Sequence, residues 1–306
     1  MPLVSVIVPN YNHAPYLRQR LDSIFNQTFQ DFEVIILDDC STDNSKEVIE
    51  EYRNRPQVSH IVYNKVNSGS PFKQWAKGFD LAQGEYIWIA ESDDWAELNF
   101  LNELYAIISK HNDAVLIYSA LKIEFPDKTK ILSTYPENIN INGITFIKSK
   151  MMGSNSIYNA SCVLFRRDVI RNISSQYQNF RGCGDWLFWI DLCEQGNVIF
   201  FKEALCHFRQ HSTNTTTENT ISGNFLLEIY EIYKQSLNRG FLTFFHRQEV
   251  ATMCLTQSRK GNSDLHKKAE VLWKKEVKHP FLSKIFVQGC IIFWNIKNVF
   301  VRPTKV

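Results

Sequence analysis

Along the first 120 residues, unbroken apolar runs alternate with stretches of helical period. Residues 3–8 (LVSVIV) form a β-branched run closed by Pro9-Asn10, the signature of a strand buried on both faces. Between 15 and 27, Leu17, Leu21, Ile24 and Phe25 recur on one helical face. The pattern then predicts a strand at 33–37 (EVIIL), a helix to about Arg53 capped by Asp43, and a strand at 58–63 (VSHIVY). A helix at 72–82, a strand at 85–90 (EYIWIA), a helix at 96–110 and a strand at 114–119 (AVLIYS) follow. Strands alternating with helices of this length point to an α/β protein with a mostly parallel sheet covered by helices on both faces.

Beyond residue 120 the pattern loosens. Residues 120–160 mix short strands with polar turns, 185–193 (DWLFWIDLC) reads as a buried helix, and 198–201 as a short strand. Residues 212–220 (STNTTTENT) form a polar loop, and from Asn224 onward the period is helical. These shifts divide the chain into an α/β domain over 1–220, with halves at 1–120 and 121–220, and a helical region over 221–306.

Charge adds an asymmetry. The formal net charge of the 306 residues is +2, too small for a surface built to hold nucleic acid. Residues 240–306, however, carry 12 Lys+Arg against 4 Asp+Glu, while 1–239 carry 22 against 28. The 7 cysteines are scattered without a CxxC pair, as in a protein of a reducing compartment. The opening apolar segment ends at Pro9, too short for a secretory h-region, and a cytoplasmic location is expected.

Two phosphate-cradling patterns are absent: no strand is followed by GxGxxG, and no GxxxxGK[ST] occurs. What remains at the carboxyl ends of the predicted strands, where α/β sheets place ligands, is acid. Asp38-Asp39 follow the second strand, and Glu91-Ser92-Asp93-Asp94 the fourth. Adjacent carboxylates repel unless a cation or donors compensate. Asp93 and Asp94 suit a hard divalent ion, Mg²⁺ or Mn²⁺, or else one of them caps the following helix. Asp38-Asp39-Cys40-Ser41-Thr42-Asp43 is equally a good loop and cap sequence.

The ordered marks Pro9-x-Tyr11-Asn12, Gln27-Thr28-Phe29, Asp38-Asp39-x-Ser41-Thr42-Asp43, Gly84-Glu85-Tyr86 and Glu91-Ser92-Asp93-Asp94 resemble the inverting, metal-dependent nucleotide-sugar glycosyltransferases of family two. These have the GT-A fold and include bacterial polysaccharide and lipopolysaccharide enzymes. The similarity is clear over about residues 1–120. It implies a nucleoside loop at Pro9, Asn10 and Tyr11 and a uracil-imide acceptor at Asp39. It places Ser92 beside the nucleotide, Glu91 and Asp94 near ribose or donor sugar, and Asp93 on the metal. Two positions depart from the family's pattern. Glu91 stands where an Asp is usual, and Trp75 stands roughly where an arginine meets the diphosphate, leaving Lys73 as the nearest cation.

In the second half, Gly184-Asp185-Trp186 resembles the family's acid–Asp–Trp segment with Gly184 in place of the first acid. The resemblance implies Asp185 as catalytic base and Trp186 as a possible floor for the acceptor; alternatively Asp185 is only a cap and Trp186 only core. Cys206–His211 resembles the Tyr-x-Arg-x-His segment that supplies a metal-binding histidine. His211 is the candidate and His207 its competitor, both on one face of an extended segment. The implied activity is sugar transfer from a nucleoside diphosphate, with uridine favoured, to a glycan or lipid-linked hydroxyl, with Mn²⁺ or Mg²⁺ as cofactor. A binding module without turnover and a nucleotidyltransferase are the alternatives. Residues 281–301, apolar but interrupted by Lys284, Gln288, Asn295, Lys297 and Asn298, suit a helix lying on the inner face of the cell membrane, or one packed back on the domain.

Overall fold

The structure, a computed structural model, describes residues 1–152, 154–211, 224–242 and 263–277, with scattered positions between 248 and 258. Its chain divides into two units, Met1–His211 and Ser212–Val306. In the first, β1 (Val4–Asn10), β2 (Phe32–Asp38), β3 (Val58–Tyr63) and β4 (Tyr86–Ile89) alternate with α1 (Ala14–Phe25), α2 (Ser45–Tyr52) and α3 (Pro71–Leu81). Then come β5 (Trp95–Ala96), α4 (Phe100–Ile108), β6 (Ala114–Phe125), β7 (Lys128–Leu132), β8 (Ile139–Asn142) and the single turn α5 (Gly143–Phe146). β9 (Val163–Arg166), α6 (Gly184–Cys193) and β10 (Asn197–Arg209) complete the unit.

One sheet runs in the order β3-β2-β1-β4-β9-β6-β10-β5, with β7 paired to β6 and β8 to β10. β3, β2, β1 and β4 are mutually parallel, as are β6 and β10. β9 runs antiparallel between β4 and β6 and joins the two parallel blocks. Every residue of β1 and β2 is buried, which is what their continuous Val/Ile composition requires of central strands. The helices bury one face each: Leu17, Leu21, Ile24 and Phe25 on α1, and Phe72, Trp75 and Phe79 on α3.

Four expectations change. The strand expected at 114–119 runs on to Phe125. The helix expected at 96–110 starts at Phe100, because Trp95 and Ala96 pair with His207 and Cys206 of β10. The short strand expected at 198–201 continues to Arg209 through register shifts. Asp43 lies one residue outside the α2 cap, yet it accepts the N–H groups of Ser45 (3.0 Å) and Ala14 (2.9 Å), tying the starts of α2 and α1 together.

Gly84 leads into β4 because only a hydrogen fits there. A Cβ would lie 2.5 Å from the backbone nitrogen of Ser5 and 2.7 Å from the carbonyl carbon of Val4. Its N–H donates to Ser5 Oγ, which donates to Glu33. Gly84→Ala is expected to cost about 1–3 kcal/mol by overpacking, read as a lowered urea midpoint with an unchanged m-value.

The second unit contains helices α7 (Asn224–Asn238) and α8 (Ser263–Glu276). The expected loop at 212–220 and the apolar segment 281–301 lie outside the described residues. Among the described residues no helix is long and apolar enough to cross a membrane.

Candidate active site

The carboxyl ends of β1 and β2 form one polar corner. Asn10, 2% exposed, donates through Nδ2 to Asp38 Oδ2 (2.8 Å) and Ser41 Oγ (3.2 Å), and its carbonyl accepts the Asp39 N–H. Pro9 pairs with Leu37 one step earlier, and the Tyr11 ring stands 46% exposed at the rim. Asp39 is buried and already served by the protein. It accepts Asn64 Nδ2 (2.6 Å), Ser68 N–H (2.9 Å) and Oγ–H (2.7 Å), and Gln74 Nε2 (3.0 Å). An imide N–H reaching Asp39 must displace one of these donors. Asn10 Oδ1 and Gln74 Oε1 are buried acceptors without a partner among the described residues. Lys73 is exposed and donates to the Ser68 carbonyl (3.0 Å), while Lys77 reaches Asn64 (2.6 Å). Both lysines brace the loop that holds Asp39.

The Glu91–Asp94 loop follows β4, and its four side chains part company. Asp94 is 0% exposed; its carboxylate accepts Asn159 Nδ2 (2.8 Å), Ser161 Oγ–H (2.7 Å) and the Arg209 N–H (3.2 Å). The donor-sugar contact expected of Asp94 is therefore replaced by a structural one: the carboxylate ties the loop to the turn at Ala160–Cys162 and to the end of β10. Burial and the Asp93 charge push it up to about 7, against the opposing charge of Arg20. Ser92, expected beside the nucleotide, is 1% exposed with its Oγ hydrogen-bonded to His13 Nδ1 at 2.8 Å. Glu91 accepts the Trp75 indole N–H at 2.9 Å. Burial and the Asp93 charge push its carboxyl up to about 8. Arg20, fully buried beneath this loop, donates Nε–H to the Glu91 carbonyl (2.8 Å).

Asp93 faces the histidines. Its Oδ2 lies 3.0 Å from His211 Nε2, and His13, Asp93 and His211 each offer a ligand atom within 4.8 Å of the others. Burial alone would raise the Asp93 carboxyl, but the His211 hydrogen bond and the charges of His13 and His211 hold it below its ordinary value. Burial lowers the His13 pKa despite Asp93, which favours the neutral imidazole that can bind metal. One carboxylate and two imidazoles in this reach fit a divalent ion. His207, the competitor of His211, belongs elsewhere. Its ring nitrogens bond Glu124 (2.8 Å) and Glu97 (2.9 Å), and the ring stacks on Trp95. Because β10 ends at Arg209, strand alternation does not extend to His211.

The helix starts of α3 and α6 meet beside this loop. Trp75 is buried among Phe72, Phe188 and Trp189, with its indole N–H turned to Glu91. It cannot take over a diphosphate contact from an arginine, but it does anchor the longer Glu91. A Cβ on Gly184 would lie 2.5 Å from the Phe72 ring and from the Tyr177 carbonyl oxygen, so no acid can stand there. Asp185, half-buried in the first turn of α6, accepts Asn155 Nδ2 at 2.9 Å. Trp186 is 6% exposed and donates to the Met151 carbonyl (2.9 Å). It is a core side chain, and the acceptor-floor expectation fails because its face is covered. Reading the sequence missed His13, Tyr16, Arg20, Gln74, Ser161 and Arg209; for His13 the available signal was a histidine at a helix cap position where Ser or Asp is usual.

A half-parallel α/β sheet with acceptors at the ends of β1 and β2 and an acid–histidine cluster beside the loop after β4 agrees with what the sequence resemblance implied for a glycosyltransferase. Residues 5–174 match Glycosyl transferase family 2, more than half of the chain, and the protein belongs to that family of glycosyltransferases. It is 27% identical over 226 residues to the putative teichuronic acid biosynthesis glycosyltransferase TuaG of Bacillus subtilis, covering 73% of this chain and 82% of TuaG. It is 36% identical over 115 residues to the poly(ribitol-phosphate) beta-N-acetylglucosaminyltransferase TarS of Staphylococcus aureus, a match spanning 20% of TarS. The fold is shared with the crystal structure of TarS 1–349 in complex with UDP-GlcNAc, with a TM-score of 0.65 at 19% identity over 94% of this chain and 92% of that one.

Proposed function

We propose that the protein transfers a sugar from a UDP-sugar to a hydroxyl of a glycan or lipid-linked acceptor, with inversion, in the synthesis of a bacterial cell-surface polysaccharide. The observation that carries this is the convergence of His13, Asp93 and His211, in a family 2 chain where Asn10 at the end of β1 and Gln74 on α3 each hold a buried acceptor without a partner among the described residues. By their names, TuaG is a putative glycosyltransferase of teichuronic acid biosynthesis and TarS a poly(ribitol-phosphate) beta-N-acetylglucosaminyltransferase, which supports the polysaccharide assignment. A divalent ion at the cluster, Mn²⁺ or Mg²⁺, would offset charge developing on the departing diphosphate. Asp93 and His211 would hold it. Asp185, oriented by Asn155, takes the proton of the attacking hydroxyl. Trp75 fixes one oxygen of Glu91 toward α3 and sets that carboxyl at the rim of the donor site.

The departures from the family's pattern do not favour a protein without turnover. Trp75 and Glu91 satisfy each other, and Gly184 is demanded by Phe72. Purified protein with Mn²⁺ and a panel of sugar nucleotides should release UDP from one donor; release from none, with and without candidate acceptors, would overturn the assignment. Uridine selection is expected at the Asp39 corner: UDP should bind more tightly than CDP by about 1–3 kcal/mol, because cytosine N3 would face the carboxylate as an acceptor without a donor where uracil offers an N–H. Titration calorimetry showing equal affinities would remove the imide argument. The basic, apolar segment at 281–301 supports peripheral contact with the inner membrane face, where lipid-linked acceptors reside; sedimentation with anionic vesicles at low salt tests it.

A further inference from the structure

We infer that His13 is a third protein ligand of the divalent ion, and that the completed site is a resident transition-metal site. It binds Mn²⁺ or a related first-row ion before any nucleotide arrives, and discriminates against Mg²⁺. The inference rests on the transfer-site reading above only in taking this ion to be the one used there.

His13 occupies the cap position of α1, yet its side chain makes no capping bond. The capping work is done by Asp43, which accepts the Ala14 N–H at 2.9 Å. The preceding residue, Asn12, takes φ 55, a left-handed turn that asparagine tolerates better than most residues. The imidazole is thus released from helix duty and directed to Ser92, whose buried Oγ lies 2.8 Å from Nδ1. With Nδ1 engaged there, Nε2 is the nitrogen left for an ion, and this is how a ligating histidine is usually held.

The other two ligands are also set before any ligand is present. The His211 ring stacks on Tyr16, with centroids 4.8 Å apart and planes at 28°, and meets the His13 ring edge-on at 5.6 Å. The Arg209 guanidinium lies 4.7 Å from the Tyr16 ring centroid and donates to the Asp93 carbonyl at 2.6 Å and to Gln19 at 2.6 Å. One bracket thereby fixes α1, the acidic loop and the end of β10. An ion held by one carboxylate and carried in on a diphosphate needs no such scaffold.

Ligand chemistry then decides the metal. Mg²⁺ keeps its waters and prefers oxygen ligands, so it is usually held by one or two carboxylates plus phosphate oxygens. Two imidazoles and one carboxylate favour first-row transition ions, with affinity rising from Mn²⁺ to Cu²⁺ and falling again at Zn²⁺. Three protein ligands also leave coordination positions for the oxygens of an incoming diphosphate.

The test uses full-length protein stripped by chelator and titrated with Mn²⁺, without nucleotide, following the EPR signal of the free ion. One Mn²⁺ per chain should bind, and Mg²⁺ in roughly tenfold excess should leave it bound. His13→Gln should weaken Mn²⁺ by about 10–100-fold, and Ser92→Ala by less, with melting in chelator unchanged for both. Pulsed EPR of Mn²⁺ in the wild type should show nitrogen couplings from two imidazoles, a measurement that needs no variant to fold. Nitrogen from one imidazole only, His13→Gln binding within about twofold of wild type, or displacement by equimolar Mg²⁺ would each overturn the inference. Failure of the transfer reaction with Mn²⁺ binding intact would count against the proposed function alone.

Discussion

Asp185→Asn should lower turnover by about 10²–10⁴ while leaving donor affinity unchanged, because the amide cannot accept the proton of the attacking hydroxyl. The substitution isolates that property. Asparagine keeps the shape of the side chain and its capacity at the first turn of α6, and its carbonyl oxygen can still accept Asn155 Nδ2, now 2.9 Å from Asp185 Oδ2. UDP binding and Mn²⁺ binding, assigned to the Asp39 corner and to the acid–histidine cluster, should be those of the wild type. Asn155→Ala offers a graded companion. It leaves the carboxylate but releases its orientation, and should reduce kcat less than Asp185→Asn does. Steady-state rates paired with calorimetric donor affinities check both. Turnover of Asp185→Asn within about threefold of wild type would place the base elsewhere, since losing general-base assistance costs at least about 10².

The parts of the fold legible in the sequence are those whose burial is settled locally. β1, α1, β2, α2 and β3 each carry their own apolar run or stripe, and their bounds fall within a few residues of expectation. What escaped depends on distant partners. β10 extends to Arg209 because His207 and Phe208 pair with Lys122 and Ile123 of β6. Trp95 and Ala96 become a strand only because β10 passes alongside. The same division holds within the site. The approach of Asp93 and His211 follows from the family resemblance, and the structure brings them to 3.0 Å. The split between Asp93 and Asp94 is invisible in an Asp-Asp pair. It is decided by Asn159 and Ser161, more than 60 residues downstream, which enclose one acid and leave the other to the histidines. Trp75 and Gly184 read as defects only in isolation. The first answers the longer Glu91 and the second makes room for Phe72.

Asp93→Ala should abolish transfer without unfolding the protein, and excess chelator should do the same to the wild type. Asp93 is the only carboxylate of the three-residue cluster. Without it, two imidazoles remain to attract a cation that must also meet a diphosphate, and the charge that drew the ion into a half-buried position is gone. The effect on the fold runs the other way. The Asp93 charge is among the causes that raise Glu91 to about 8 and Asp94 to about 7. Removing it lets both settle toward their ordinary range and relieves repulsion in the loop, while the Arg209 bond to the residue 93 carbonyl and the Asp94 bonds to Asn159 and Ser161 do not involve the lost side chain. This relief stands against the loss of the Asp93–His211 hydrogen bond, so in chelator the variant should stay folded and melt close to the wild type. Added Mn²⁺ should raise the melting temperature of the wild type and not that of the variant, since an ion that binds only the folded state stabilises in proportion to its affinity. Transfer that persists in excess chelator would sink the metal-dependent mechanism. A variant that melts well below the wild type in chelator would instead show Asp93 to be part of the fold's own hydrogen bonding.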